Sequence, residues 1–313
     1  MDKYYPGKKA AVELQALTTL SQDLVKSRDQ DNLKHLGGFT LDNIGGVPMG
    51  NQVKQWRLCT AQDKDGITDK VVFCLQGVIV KNELVPKNVY KYGANKALYL
   101  TQYVEITGIQ TEIFAACVSN VLSIHEQFGQ HLARVQMVDF FMKYIGDAPI
   151  FLASNRFLTL WSEAPNEQDN EFEPGVDTIG WLAKLKGNDL IHAPENIVKY
   201  FRVSKGNANE ESKYVQSVPG AFKAGDIVKM QVAFVAQMSS KKIKIGNRLQ
   251  ALTLLNDHYK KEASVSRTAD TVKPSPHNTS LRRKVGYFYQ DEEELRVCKK
   301  KNEGQVSEDE EGQ

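Results

Sequence analysis

The spacing of apolar residues predicts a helix near the start of the chain and a helical block in its middle. Residues 8–36 contain no Gly or Pro, and leucines from Leu14 to Leu24 recur at helical spacing. This pattern predicts an amphipathic helix that ends before residue 37, followed by a glycine-rich loop over residues 37–50. Two further apolar stripes predict a helical block from about residue 111 to residue 144.

Short runs of β-branched and aromatic residues predict strands elsewhere. They occur at residues 71–75, 78–80, 99–106, 150–152, 157–161 and 197–203, and Gly77 between the first two indicates a bulge or a close backbone approach. The most regular signal is late in the chain. A turn at Gly225 and Asp226 leads into an apolar run, and a second turn leads into the alternating sequence of residues 242–245. We therefore predict a hairpin of two long strands.

Composition indicates a folded protein with a polar end. The chain has 313 residues, of which 41% are hydrophobic and 25% charged, as in ordinary globular proteins. Beyond residue 256 too little apolar surface remains to offset the entropy lost on ordering. The sequence predicts an α+β protein with helices and a mostly antiparallel β body. Its parts are an N-terminal helix and Gly-rich loop (1–50), the α+β body (51–256) and a disordered charged tail (257–313).

Net charge says little about binding partners, whereas the apolar runs and the cysteines indicate the cellular compartment. The 40 basic and 38 acidic residues give a net charge of +2. No apolar run approaches the roughly 18 residues that a membrane-spanning helix needs, and the first residues lack the apolar core of a secretory signal. Four scattered cysteines without C-x-x-C spacing are typical of a reducing compartment. We expect an intracellular protein with no membrane association.

The motifs of common enzyme classes are absent from the sequence. There is no P-loop, no G-x-G-x-x-G and no G-x-S-x-G, and the dispersed histidines lack metal-ligand spacing, so no cofactor or metal is expected. One enzymatic interpretation remains, in which His192 forms an acid–base group with Asp189 and Glu195. A hydrogen-bonded structural histidine is the commoner arrangement. Asp226 likewise fits a turn in which its side chain bonds local amides better than it fits a catalytic acid.

The late hairpin carries the strongest functional signal because it is rich in cations. It contains a single anion, Asp226, and six cations: Lys223, Lys229, Lys241, Lys242, Lys244 and Arg248. The period of a strand places Lys242 and Lys244 on one face, where they would follow a phosphate backbone of DNA or RNA, with Phe222 and Tyr200 near enough to stack on bases. The alternative is that these lysines only solvate an exposed sheet face or protect an edge strand.

A second hypothesis is a protein–protein scaffold. Its docking elements would be the acidic segment 163–177, an aromatic stretch at 285–289 and the charged tail, which would hold the protein partner. Two basic clusters flank a polar spacer in that tail, as in a bipartite nuclear-import signal: Lys260, Lys261, Arg282, Arg283 and Lys284. Ser307 precedes four acidic residues, as acceptors of acidophilic kinases do. These features predict nuclear localisation and phosphorylation.

Two stretches of the body together resemble a known family. The first comprises residues 187–192 and 195–200, and the second comprises residues 222–228 and 249–255. In this order they resemble an uncharacterised, many-copy family of mushroom-forming fungi, although Pro194 stands where an acidic or polar residue is expected. The resemblance covers about the last third of the ordered chain and implies a eukaryotic intracellular protein. The family has no assigned molecular function, so the resemblance assigns no site residues.

Overall fold

The computed structural model describes residues 2–27, 33–38, 44–49, 55–60, 69–86, 94–132, 136–138, 142–204, 213–239 and 242–271. In these ranges the helices are α1 (Gly7–Ser27), α2 (Glu112–His131), α3 (Trp181–Lys186) and α4 (His258–Thr271). The strands are β1 (Leu33–His35), β2 (Ile44–Met49), β3 (Gln55–Thr60), β4 (Val72–Glu83), β5 (Thr101–Thr107), β6 (Lys143–Ile145), β7 (Ala148–Arg156), β8 (Thr159–Leu160), β9 (Leu190–Ile191), β10 (Lys199–Ser204), β11 (Lys213–Gln216), β12 (Ile227–Ser239) and β13 (Lys242–Asn256). The mixed α+β class is as the sequence predicts.

Five strands close into a barrel. β4 pairs antiparallel with β5, and β5 pairs antiparallel with β7. β7 then pairs in parallel with β13, while β12 runs antiparallel to both β13 and β4 and completes the ring. Numbered in chain order, the barrel strands are joined in the order 1-2-3-5-4-1 with strands 3 and 5 parallel. This is the topology of an OB-like barrel.

The barrel closes along a short seam between β7 and β13. One residue pair, Ser154 with Arg248, is in strand register there. Side-chain amides extend the contact: Asn247 Nδ2 donates to the Leu152 carbonyl oxygen at 2.9 Å, and Asn155 Nδ2 donates to the Leu249 carbonyl oxygen at 3.1 Å. The seam therefore depends on side chains as well as on backbone hydrogen bonds.

Alternate residues of the barrel strands fill its interior. Phe73 of β4 and Phe234 of β12 are fully buried and meet edge to face, with ring centroids 5.3 Å apart. Gly77 allows β4 and β5 to approach, as the sequence predicts, because a Cβ there would lie 2.8 Å from Ile106 Cδ1 and 3.0 Å from the Thr107 carbonyl oxygen. Burial of these apolar side chains is the main driving force for closing the barrel.

Further strands extend the barrel sheet on both sides. β3 and then β2 add to β12, and β10 and then β11 add to β13. The strand β2 corrects the expectation of a loop over residues 37–50. It lies at an edge of the sheet, where Pro48 breaks no ladder because an edge strand leaves one side unpaired.

The helices are shorter than the apolar stripes predict. α1 ends at Ser27, and Leu33–His35 instead pairs in parallel with β4. α2 ends at His131, so the expected continuation of the helix to residue 144 is wrong. Met137 instead forms a bridge with Ile243, and Val138 N donates to the Ile243 carbonyl oxygen at 2.8 Å. Hydrogen bonds with the first residues of β13 therefore replace helical hydrogen bonds at residues 136–138.

The chain does not become disordered at residue 257, which corrects the predicted domain boundary. Residues Met1–Asp270 form one compact unit, and α4 belongs to it. Lys260 Nζ lies 2.6 Å from Asp226 Oδ1, and the Tyr259 hydroxyl donates to Glu13 Oε2 of α1 at 2.6 Å. Polar contacts hold this helix to the body. Its sequence is therefore polar, and composition alone does not predict a helix there. Residues 272–313 lie outside the described residues.

Candidate nucleic-acid interface

The predicted late hairpin is confirmed as β12 and β13. The two strands pair antiparallel from Ile227 with Asn256 to Ser239 with Lys242. At its base, Asp226 is a turn residue as expected, and its Oδ2 accepts a hydrogen bond from the Lys223 backbone N–H at 2.7 Å. Burial raises the pKa of Asp226, while Lys260 and the Lys223 amide oppose that shift.

The five described cations of the hairpin do not form a single strip. Lys242 and Lys244 are exposed near the tip, and Arg248 follows on the same face. Lys223 lies just before β12, and Lys229 is about 26 Å along that strand from Gln237, which pairs with Lys244. The structure therefore brings Lys242 and Lys244 together at the tip, places Arg248 about 20 Å along β13 from Lys242, and leaves Lys223 and Lys229 towards the base of the hairpin. Lys241 lies outside the described residues.

The two aromatic residues proposed for base stacking are buried, which corrects that expectation. Tyr200 and Phe222 are each 2% exposed, and their ring centroids lie 5.7 Å apart. The Tyr200 hydroxyl donates to Gln102 Oε1 at 2.5 Å within the interior. Both rings stabilise the fold and cannot contact a ligand.

A cleft opens beside the hairpin tip, at a position that no sequence pattern indicates. Its volume is about 550 Å³. Its lining includes Tyr99 from the β4–β5 connection and Lys244 and Arg248 of β13. The end of β7 supplies Ser154 and Arg156. The β4–β5 connection and the strands β7, β12 and β13 thus line one cleft that holds cations and an exposed aromatic ring.

A second, half-buried tyrosine follows Tyr99 on the outer face of β5. Tyr99 is 79% exposed and also lines a second cleft of about 470 Å³ together with Tyr103. Tyr103 stands opposite Ser154 of β7, and Lys81 Nζ lies 5.7 Å from the centroid of the Tyr103 ring. The two tyrosines, one in the β4–β5 connection and one on β5, therefore border the same cleft.

The cations near the cleft differ in how far they are neutralised. Arg156 Nη2 pairs with Glu163 at 2.7 Å, and Lys143 Nζ pairs with Glu105 at 2.9 Å. Lys242 and Lys244 have no ion-pair partner among the described residues. The tip lysines are consequently the cations most available to an anionic ligand.

Arg248 belongs to an ion cluster around Glu195. Glu195 lies 2.8 Å from Arg57 Nη1, 3.2 Å from Lys70 Nζ and 3.6 Å from Arg248 Nη1. Burial opposes ionisation of Glu195, but the three cations outweigh it and hold its pKa below the usual value. Burial, followed by repulsion from Arg57, lowers the pKa of Arg248 to about 10. No local sequence pattern reveals this cluster, because its members are far apart in the chain.

The acidic segment 163–177 is largely engaged within the fold, so it offers little to a docking partner. Glu163 binds Arg156, Asp169 binds Lys186, and Glu173 Oε1 lies 2.6 Å from Lys199 Nζ. Asp177 accepts hydrogen bonds from three backbone N–H groups at the start of α3, at 2.7, 3.0 and 2.9 Å. Four of the six carboxylates that the scaffold hypothesis uses in this segment thus already have partners within the protein.

The proposed import and phosphorylation residues are only partly described. Lys260 pairs with the buried Asp226, and Lys261 pairs with Asp257 at 2.7 Å on the surface of α4. This first basic cluster thus lies on a helix rather than in an extended tail. The second cluster and the phosphorylation candidate lie outside the described residues: Arg282, Arg283, Lys284 and Ser307. Nuclear localisation stays a prediction.

His192 occupies a structural position. It is 2% exposed, its Nδ1 lies 2.8 Å from the Phe157 carbonyl oxygen, and its ring centroid lies 4.5 Å from that of Phe172. Burial lowers the pKa of His192. Glu195 faces the cation cluster instead, so the expected alternative of a His192, Asp189 and Glu195 acid–base group is not formed.

The described residues offer neither a metal site nor a membrane-spanning helix. They contain no group of three or more His, Cys, Asp or Glu side chains placed to hold a metal ion. In the same part of the chain, no helix combines the length and apolar character needed to cross a bilayer.

Comparison with known proteins gives no family assignment. No protein-family profile matches the chain, and no curated protein is significantly similar to it. The structure is similar to that of gp2.5, a single-stranded DNA-binding protein of bacteriophage T7, at 12% identity and a TM-score of 0.35, covering 59% of this chain and 86% of that one. A second similar structure is the single-stranded DNA-binding protein of bacteriophage Enc34, with a C-terminal truncation. It has 12% identity and a TM-score of 0.27, covering 70% of this chain and 98% of that one. Both TM-scores are too low to establish a shared fold, and the barrel topology rests on the strand pairings above.

Proposed function

We propose that this protein is a non-enzymatic binder of single-stranded nucleic acid, held across the outer face of β5 and β7 between Tyr99 and the hairpin tip. The observation that carries the proposal is the cleft of about 550 Å³ whose lining includes both the exposed Tyr99 and Lys244. OB barrels bind oligonucleotides with strands 2 and 3 and with the loops that join strands 1–2 and 4–5. Here these are β5, β7, the β4–β5 connection and the β12–β13 turn.

The chemistry of the cleft suits a single strand better than a duplex. Tyr99 is exposed and Tyr103 is half-buried beside it in the second cleft, and accessible rings of this kind stack on bases whose faces are free. Lys242 and Lys244 supply charge at a spacing fixed by the strand, and each phosphate they neutralise releases counterions. In a duplex the base faces are already stacked, so only the phosphate contacts would remain.

The direct test reverses the charge of the hairpin tip. The variant Lys242→Glu/Lys244→Glu should bind a fluorescent oligothymidylate much more weakly at low salt, because two attractions to phosphate become repulsions. The slope of log Kd against log salt concentration should fall in magnitude by about 1.4, because each neutralised phosphate of a single strand contributes about 0.7. Fluorescence anisotropy over a salt series measures both quantities.

A charge-matched variant controls for net charge. Lys213→Glu/Lys223→Glu makes the same change on exposed residues of β11 and of the hairpin base. It should keep most of the affinity and the slope of the unmodified protein. Equal weakening in the two variants, or no binding by the unmodified protein, would refute the proposed interface.

A further inference from the structure

Glu195 neutralises cations that lie next to the proposed interface. It belongs to a 3-10 turn, Pro194–Asn196, that places it among Arg57 of β3, Lys70 and Arg248 of β13. The Lys70 ammonium is fixed further by a hydrogen bond to Gln250 Oε1 at 2.9 Å. Because Arg248 also lines the 550 Å³ cleft, one cation is shared between the cluster and the interface.

The cluster holds more positive than negative charge. One carboxylate faces three cations, and Arg156, close enough to depress the pKa of Arg248, adds repulsion. The Arg57 side chain is only 10% exposed, and its Nε is buried without a hydrogen-bond acceptor among the described residues. Buried donors of this kind normally have a partner, so the site has capacity for a further acceptor.

A phosphate group has the chemistry that this site accepts. Guanidinium groups bind carboxylate and phosphate oxygens in the same forked geometry. Glu195 is 30% exposed, so the cluster is not sealed from solvent. An anion that reaches Arg248 from the cleft therefore meets a cation that an internal carboxylate already occupies.

We infer that Glu195 competes internally with a phosphate of the bound strand for Arg248 and its neighbours, and that it thereby limits affinity. The inference rests on the proposed function and deepens it by naming a residue that regulates the same site. The Glu195 carboxylate leaves Arg248 when a phosphodiester arrives and returns when the strand dissociates. Binding stays readily reversible as a result.

Removal of the internal carboxylate tests the inference. Glu195→Gln should steepen the slope of log Kd against log salt by about 0.7, which corresponds to about fivefold tighter binding for each tenfold reduction of salt concentration. The matched control is Glu171→Gln, which removes one negative charge from an exposed residue of the acidic segment. It should leave the slope unchanged.

A second readout does not use nucleic acid. Without its carboxylate the cluster is repulsive, so Glu195→Gln should have a lower Tm than the unmodified protein, and inorganic phosphate should raise that Tm more than it raises the Tm of Glu171→Gln. If Glu195→Gln fails to fold, Glu195→Asp keeps the charge on a shorter side chain that cannot reach all three cations. It should then give an intermediate slope and an intermediate response to phosphate.

The outcomes separate the inference from the proposed function. If the unmodified protein binds oligothymidylate but the Glu195 variants match Glu171→Gln in slope and in phosphate response, the inference is overturned and the function stands. If the unmodified protein does not bind while phosphate selectively stabilises Glu195→Gln, the function is wrong and the cluster is an anion site of another kind.

Discussion

At the scale of single residues, Tyr99 offers the sharpest test of base stacking. It borders two clefts and exposes 79% of its surface, although tyrosine rings usually bury much of their area. Tyr99→Ala should weaken binding of oligothymidylate by roughly tenfold to a hundredfold, the range expected when one base no longer stacks on a ring. The salt slope should not change, because no charge is removed. Anisotropy titrations at several salt concentrations measure both.

Two comparisons make the Tyr99 result specific. Tyr99→Phe keeps the ring and should retain affinity. Tyr214→Ala removes a tyrosine that is 49% exposed on β11 and lines neither of the two clefts at Tyr99, and it should have little effect. A similar decrease in affinity from Tyr214→Ala would mean that the assay reports general stability rather than stacking.

Local sequence predicts some site residues and not others. Lys242 and Lys244 lie on one face because strand alternation is a local property. The proposed stacking residues Tyr200 and Phe222 are buried, since composition does not tell which side of a strand faces the core. The Glu195 cluster joins residues from four distant segments, so only the tertiary fold brings it together. The sequence predicts Tyr99 only as the first residue of a strand over residues 99–106 and does not indicate that its ring lines a cleft.

At the scale of elements, an ion pair to a buried carboxylate helps to hold α4 to the body. Asp226 is fully buried, and Lys260 Nζ lies 2.6 Å from its Oδ1. Lys260→Met keeps the apolar stem but leaves the carboxylate without its cation, which should lower the free energy of unfolding by about 3 kcal/mol. Urea denaturation monitored by circular dichroism measures this change.

The neighbouring lysine supplies the control. Lys261 pairs with Asp257 on the exposed surface of α4, with 67% of its side chain accessible. Lys261→Met should change the free energy of unfolding by less than about 0.5 kcal/mol, because exposed pairs contribute little. Equal effects of the two substitutions would show that α4 is not held by Asp226.

Elements with strong local patterns are those that the sequence predicts. The hairpin follows from two long apolar runs and their turn, and α2 from its apolar stripe. α4 escapes prediction because Tyr259, Lys260 and Glu262 bond to distant polar groups, and a polar sequence does not reveal such partners. The apolar stripe after residue 131 predicts a helix wrongly, because helical spacing of apolar residues does not exclude an extended segment that pairs with β13.

At the scale of the whole molecule, barrel closure lies beyond sequence analysis. The prediction of a mostly antiparallel body agrees with most of the described pairings. Closure depends on the parallel contact between Ser154 and Arg248, which no local pattern specifies. The same contact leaves the tip ends of β12 and β13 in one cleft with Tyr99 of the β4–β5 connection, so closure also creates the cleft.

The shortness of the β7–β13 seam has a consequence for dynamics. With one registered pair and two side-chain amides, the backbone amides at 152–156 and 247–249 should exchange with deuterium faster than those of β4 and β12. A nucleic-acid strand bound across β7 and β13 would hold these two strands together. Bound oligothymidylate should therefore slow exchange most in these two segments. Hydrogen–deuterium exchange mass spectrometry resolves the effect. Uniform protection of all five barrel strands would contradict this prediction. Selective protection of the two segments would mean that the ligand stabilises barrel closure at the seam where the protein's own contacts are fewest.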